Sequence, residues 1–260
     1  VFLSSRKADP RVAGSIRTRL VSLGLLIMVW SVFAAALADP ETLPSPLEIG
    51  RLTFKELFAG PLLYHLGITL GRVVAAFILA MAIGTAIGLL MGRRKSVDTW
   101  FDPWLLFFLN LPALVTIVLC YLWIGLTEVA AITAVAINKI PMVTVLIREG
   151  ARTFDPALDD MSRIFRVPRL TRLRHIIVPQ LAPFFAASAR TGTALIWKIV
   201  LVVEFLGRSN GVGFQIHLYF QLFDVAMVLT YALSFIAVML TIEFAVLQPW
   251  ERRASRWRRA

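Results

Sequence analysis

The chain has 260 residues, 58% of them hydrophobic and 17% charged, with a mean hydropathy of +0.75 and a formal charge of +11. A soluble globular domain is about one-quarter charged, and the basic residues here sit in short clusters between apolar segments, which excludes a soluble domain with one basic nucleic-acid-binding face. The single cysteine, Cys120, excludes an internal disulfide and a multi-cysteine metal site.

No polar, Ser-rich or Pro-rich stretch separates two cores, so residues 1–260 are read as a single transmembrane domain. A helix needs about 20 apolar residues to cross the hydrocarbon. Six segments meet that need, near Leu20 to Leu37, Leu62 to Met91, Pro103 to Gly125, Glu128 to Ile147, Gln180 to Leu206 and Val225 to Trp250. The first has a basic start and an Ala-rich end like a signal peptide, but its apolar core is long for one, and an uncleaved helix is expected. Between the first two, Pro44 to Gly60 mixes Leu47, Ile49, Phe54 and Phe58 with Arg51, Lys55 and Glu56, the pattern of a helix lying at the interface. The second segment would reach about 45 Å as a helix, so it must tilt or protrude. The alternation of a membrane β-barrel is missing, and open sheet edges find no partners in lipid. The expected fold is therefore an all-α membrane protein of about six transmembrane helices.

Orientation follows from Lys and Arg. An N-terminal segment, residues 1–19, carries Arg6, Lys7, Arg11, Arg17 and Arg19; the turn after the second span carries Arg93, Arg94 and Lys95. The loop 148–178 carries seven arginines, and the tail 251–260 carries Arg252, Arg253, Arg256, Arg258 and Arg259. These clusters hold 20 of the 27 basic residues, and with six spans all fall on one side. By the positive-inside rule that side, with both termini, is cytoplasmic.

The loop 148–178 has its own pattern. Asp155 before Pro156 is a good helix start, a capping side chain followed by a residue whose missing N–H costs nothing there. Leu158, Met161 and Phe165 recur at helical spacing, and Val167-Pro168 ends the run. A second amphipathic turn follows, with Leu170, Leu173 and Ile177 among Arg169, Arg172 and Arg174. Such a helix-break-helix is too short to bury itself and needs a partner surface. A basic stretch on anionic lipid is the simpler reading. Glu149, Asp155, Asp159 and Asp160 leave the loop at only +3, and this mixed charge favours a protein groove.

The loop resembles the signature of membrane subunits of ABC importers, which runs Glu-Ala-Ala, three residues, Gly, nine residues, Ile-x-Leu-Pro. The matching residues are Asp160, Met161 and Ser162, then Arg166 after three residues, then Ile176-Ile177-Val178-Pro179 after nine. Arg166 stands at the family's glycine. Arginine does not adopt left-handed angles cheaply, so either the turn keeps ordinary angles, helped by Pro168, or the correspondence is looser there. Thr69, Leu70 and Arg72, the ladder Gly84, Gly88 and Gly92, Leu111-Pro112, Trp123, Trp197-Lys198, Glu204, Gly211-Val212-Gly213-Phe214 and Arg256-Trp257 are similar to the nitrate, sulfonate, taurine and bicarbonate branch of these permeases.

The resemblance implies a type I importer half in a bacterial inner membrane. Two permease copies would form the pathway, two cytoplasmic ATPase subunits would carry ATP and Mg, and an extracytoplasmic solute-binding protein would deliver the solute. This chain would hold no cofactor, bind no nucleic acid and be no enzyme; it lacks a Gly-x-x-x-x-Gly-Lys-Ser/Thr loop. Asp155, Leu158, Asp160, Met161, Ser162, Phe165, Arg166 and Arg169 would dock the ATPase through a coupling helix.

Charges inside the spans cost a few kcal/mol on insertion scales and usually face a cavity or a partner. Asn138, Lys139, Trp197, Lys198 and Glu204 are accordingly the expected pathway residues, and the lysines favour an anionic solute. The plain alternative is structural pairing with Glu204, Glu243 or a carbonyl. Glu204 and Arg208, four apart, are spaced to pair. The glycine ladder marks a face where another helix approaches closely. A competing reading is an ion-coupled secondary transporter or channel using Lys139, Lys198 and Glu204.

Overall fold

The structure is a computed structural model that describes residues 10–254, without the side chains of Pro156, Asp159, Arg163 and Arg169 or of several residues near the two ends. The basic residues Arg6 and Lys7 and the tail pair Arg256-Trp257 lie outside the described residues.

Every element among the described residues is helical. Helix α1, Pro10–Leu37, leaves its apolar side chains from Val21 onward almost all exposed and is tied to the rest where Trp30 Nε1 donates to the Pro44 carbonyl at 3.1 Å. Helix α2, Pro46–Phe58, starts where Ser45 accepts a hydrogen bond from the Glu48 amide and Pro46 takes the first helical position. It buries Ile49 and exposes Leu47, Phe54 and Phe58.

Helix α3 is Leu62–Arg93, and α4, Lys95–Asn110, and α5, Ala113–Ile124, follow it. The third expected span is therefore not one straight helix: α4 and α5 are bent by 95° at Leu111-Pro112. Leu111, the residue before a proline, is extended (φ −72°, ψ 120°), and Pro112 has no N–H with which to continue the ladder. Helix α6, Glu128–Arg152, begins under a Thr127 cap and runs through Pro141.

The loop contains α7, Pro156–Ile164, and α8, Arg169–Arg172. A π turn, Leu173–Ile177, joins α8 to α9, Val178–Gly207. Arg172, Ile177 and Val178 keep helical angles, so residues 169–207 form one continuous helical run, with Pro183 inside it. Helix α10, Val212–Gln221, precedes α11, Val225–Ile242, which Asp224 caps; a second π turn leads to α12, Gln248–Ala254.

By length and composition, three helical runs among the described residues can cross a membrane, Leu62–Arg93, Glu128–Arg152 and Val225–Glu251, and the bent pair makes a fourth. About six transmembrane helices are expected from the sequence; of the other two candidates, α1 is 28 residues long with its apolar stretch from Val21 to Leu37, and α9 carries Arg190, Lys198 and Glu204 along its length.

The core forms where α3, α5, α6 and α9 meet, around Val73, Ile117, Ala134, Ile196 and Val203. A second cluster packs Leu62 and Leu66 against Val212, Tyr231 and Phe235. The contact between α3 and α6 is built on the glycine ladder. A Cβ on Gly84 would lie 2.6 Å from Val143 Cβ, one on Gly88 2.7 Å from the Thr144 carbonyl oxygen, and one on Gly92 2.6 Å from Ala151 Cβ.

Candidate functional site

The loop between α6 and α9 is anchored at both ends of its first helix. Asp155 Oδ1 accepts from the Ala157 amide at 2.9 Å, and the Asp155 amide donates to Gln180 Oε1 at 3.0 Å. Its carboxylate thus caps α7, and the backbone is tied to the first turns of α9. At the other end Arg166 has φ +49°, the left-handed region. The Val167 amide reaches back to the Ser162 carbonyl at 2.9 Å, closing the helix as glycine-ended helices close. The turn therefore does not keep ordinary angles. Arginine occupies the glycine geometry at a cost of about 1–2 kcal/mol, held by the closing bond and by Pro168 just beyond.

Ser162 is 3% exposed and belongs to the loop's interior. Leu158 and Met161 line a groove of about 440 Å³ with Val167, Thr171, His175, Ile176, Pro179 and Gln180. Asp160 and Arg166 are exposed, and the side chain of Arg169 lies outside those described. The most exposed apolar residues of the loop are Ile164 at 76%, Phe165 at 75% and Leu170 at 76%. Ile164 and Leu170 did not enter the sequence-based docking set. Helical spacing signals which residues share a face, but the left-handed turn decides that these two point outward with Phe165.

The charges within the helices separate into three environments. Lys198 is exposed on α9, its ammonium 5.5 Å from the centre of the Trp197 ring, which meets Phe235 edge-on. Asn138 is half-buried. Lys139 is 2% exposed, and its Nζ lies 2.6 Å from Met142 Sδ.

Glu204 is fully buried and does not pair with Arg208. Its Oε1 accepts from Arg72 Nη1 at 2.7 Å, and its Oε2 accepts from Thr69 Oγ1 at 2.9 Å and from the Gly213 amide at 2.8 Å. Arg72 is 4% exposed and uses all five of its donors. Two go to Glu128 at 2.8 and 2.6 Å, one to Glu204, and two to Asn210, through its carbonyl at 2.8 Å and its side-chain oxygen. Arg208, freed from Glu204, bonds Glu128 at 2.5 Å and the Leu126 carbonyl. Four segments of the chain are pinned together here. The cluster depends on Gly211 (φ +107°), since a Cβ there would collide with the Glu204 carboxylate.

At the other end of α6, Arg148 binds Asp102 at 2.5 Å and Asp98 at 3.2 Å, while Arg152 binds Glu149 at 2.8 Å and also Asp98. The end of α6 that leads into the loop is thus tied to α4.

Residues 81–248 match the family described as "Binding-protein-dependent transport system inner membrane component". The putative aliphatic sulfonates transport permease protein SsuC of Bacillus subtilis (strain 168) is 30% identical over 194 residues, covering 74% of this chain and 70% of that one. The taurine transport system permease protein TauC of Escherichia coli (strain K12) is 24% identical over 242 residues, covering 90% and 86%. A solved structure of the MetNI methionine ABC transporter in inward-facing conformations shares the fold, with a TM-score of 0.64 at 15% identity over 75% of this chain and 96% of that one. The chain belongs to the family of inner membrane components of binding-protein-dependent transport systems, the permeases of ABC importers that its loop resembles.

Proposed function

We propose that two copies of this chain form the translocation pathway of an ATP-driven importer for a small anionic solute such as a sulfonate, nitrate, bicarbonate or carboxylate. The permease has six spans and cytoplasmic termini in a bacterial inner membrane. Two cytoplasmic ATPase subunits, which bind ATP and Mg, dock on residues 155–174, and an extracytoplasmic solute-binding protein delivers the solute. The observation that carries this reading is the outward trio Ile164, Phe165 and Leu170 on a loop anchored through Asp155 and continuous with α9. Three exposed apolar side chains beside Asp160 and Arg166 suit a protein cleft, and burying each is worth about 1.5–3 kcal/mol. Residues 169–207 are helical without a break, so a push at Leu170 is carried along the backbone, through the π turn and past Pro183, to Lys198.

Lys198, the exposed lysine of α9, is the cation that favours an anion in the pathway. The ion-coupled alternative is weakened because Glu204, the carboxylate it would use, is neutralised by Arg72.

Replacing Met161 and Phe165 together by Asp tests the docking. Loss of the ATPase on co-purification, with the permease still folded, is the expected result. A complex that survives with normal ATP turnover refutes it.

A further inference from the structure

We propose that Lys139 is a binding site for a small oxyanion, closed in this structure and opened when α6 and α9 separate. Its surroundings set it apart from the other buried charges. Arg72 and Glu204 have every donor and acceptor engaged, so this fold satisfies a buried charge where the charge is structural. Lys139 is equally buried, yet among the described residues no carboxylate lies within ion-pair distance of it. Its one polar contact is the Met142 thioether, a weak acceptor for a group with three donors. A desolvated ammonium without a counter-ion is unstable, and an anion entering the seam would supply the acceptor that the described residues do not provide.

The position explains when it arrives. The lysine stem crosses from α6 to α9 over Gly192, where a Cβ would stand only 3.2 Å from Lys139 Cε. Gly150 of α6 likewise meets Phe184 of α9 so closely that a Cβ would stand 2.6 Å from its ring. These are the two helices that residues 153–177 connect. Movement of that segment by the ATPase would part α6 from α9 and expose Lys139, and an anion bound there favours the parted state. Three ammonium donors and a site closed on all sides suit a compact oxyanion such as nitrate, a carboxylate or a sulfonate.

This inference takes the drive for opening from the coupling reading above, and the two fail separately: a permease that co-purifies with no ATPase refutes that reading, and the nitrate measurement below, made on the permease alone in nanodiscs, then still decides this one. The probe is sodium nitrate against sodium gluconate at equal ionic strength, gluconate being too large to enter. The measurement is the thermal unfolding midpoint of the purified permease–ATPase complex in nanodiscs. A ligand that binds the folded protein raises that midpoint. Nitrate is expected to raise it relative to gluconate in the unmodified complex, in K139R, which keeps the cation, and in K55M, which removes an exposed one. In K139M the concentration giving half the effect should rise at least about tenfold. No nitrate effect in the unmodified complex, an equal gluconate effect, or an unchanged nitrate response in K139M would each overturn the proposal. If K139M does not assemble, G192A decides instead. A Cβ there presses on the lysine stem and should weaken the nitrate response, and an unaltered response counts against the site.

Discussion

Removing Arg72 should damage this protein far more than removing the charge of Glu204, although the two form one ion pair. Replacing Arg72 by Met leaves the Glu204 carboxylate with no exposure to water and only the Thr69 hydroxyl and Gly213 amide as donors. Stranding a buried charge in this way costs about 3–5 kcal/mol. Replacing Glu204 by Gln leaves Arg72 its two bonds to the Glu128 carboxylate and two to Asn210, and the new side-chain oxygen still accepts from Gly213. The loss is then one charge-assisted bond, about 1.5–3 kcal/mol. Replacing both residues by Met removes the stranded charge, while Glu128 keeps Arg208. The double variant should recover about 2 kcal/mol relative to R72M. Equilibrium unfolding of the purified protein in mixed detergent micelles measures all three. A Glu204→Gln loss equal to or larger than that of Arg72→Met, or a double variant no more stable than Arg72→Met, would refute the assignment of Arg72 as the counter-ion of a fully desolvated carboxylate.

Three other outcomes are expected. Gly88→Ala should cost about 1–3 kcal/mol, because its Cβ would sit 2.7 Å from the Thr144 carbonyl of α6, whereas Gly71→Ala, with nothing within 4 Å, should change stability little; unfolding in micelles compares them directly. Arg166→Gly should leave the loop intact or firmer, while Arg166→Val, β-branched at φ +49°, should loosen it by about 1–2 kcal/mol; hydrogen exchange of the amides from Ala157 to Val167 reports this, and equal protection in both variants contradicts a left-handed turn. Lys198→Met should slow uptake of an anionic solute into proteoliposomes with assembly preserved, and unchanged uptake removes Lys198 from the pathway.

The elements that sequence reveals best are those whose signal is local. Asp155-Pro156 and Val167-Pro168 bracket α7 because capping and proline chemistry act within a few residues, and the period of four in Gly84, Gly88 and Gly92 marks the face that α6 meets. Leu111-Pro112 carried the break between α4 and α5 in plain view, but the apolar residues on both sides made one continuous hydropathic run. What stayed hidden depends on distant pairing. Helical spacing offers Arg208 to Glu204, and only the fold brings in Arg72, 132 residues away in sequence. The one sequence signal was an arginine inside the long apolar run of α3, a residue costly enough there to require a partner. Arg166 shows the same limit at the backbone, since a left-handed arginine is legible only once the closing bond from Val167 to Ser162 is seen. Lys139 and Lys198, alike as mid-segment lysines, part company for the same reason, one facing the α6–α9 seam and the other exposed.

The central claim is that the loop between α6 and α9 receives force from a soluble subunit. A photo-reactive amino acid in place of Phe165 tests it in the complete complex within native membranes. The account predicts a cross-link to the ATPase subunit whose yield changes when ATP is added. Cross-linking to phospholipid alone, or a yield indifferent to nucleotide, would contradict it.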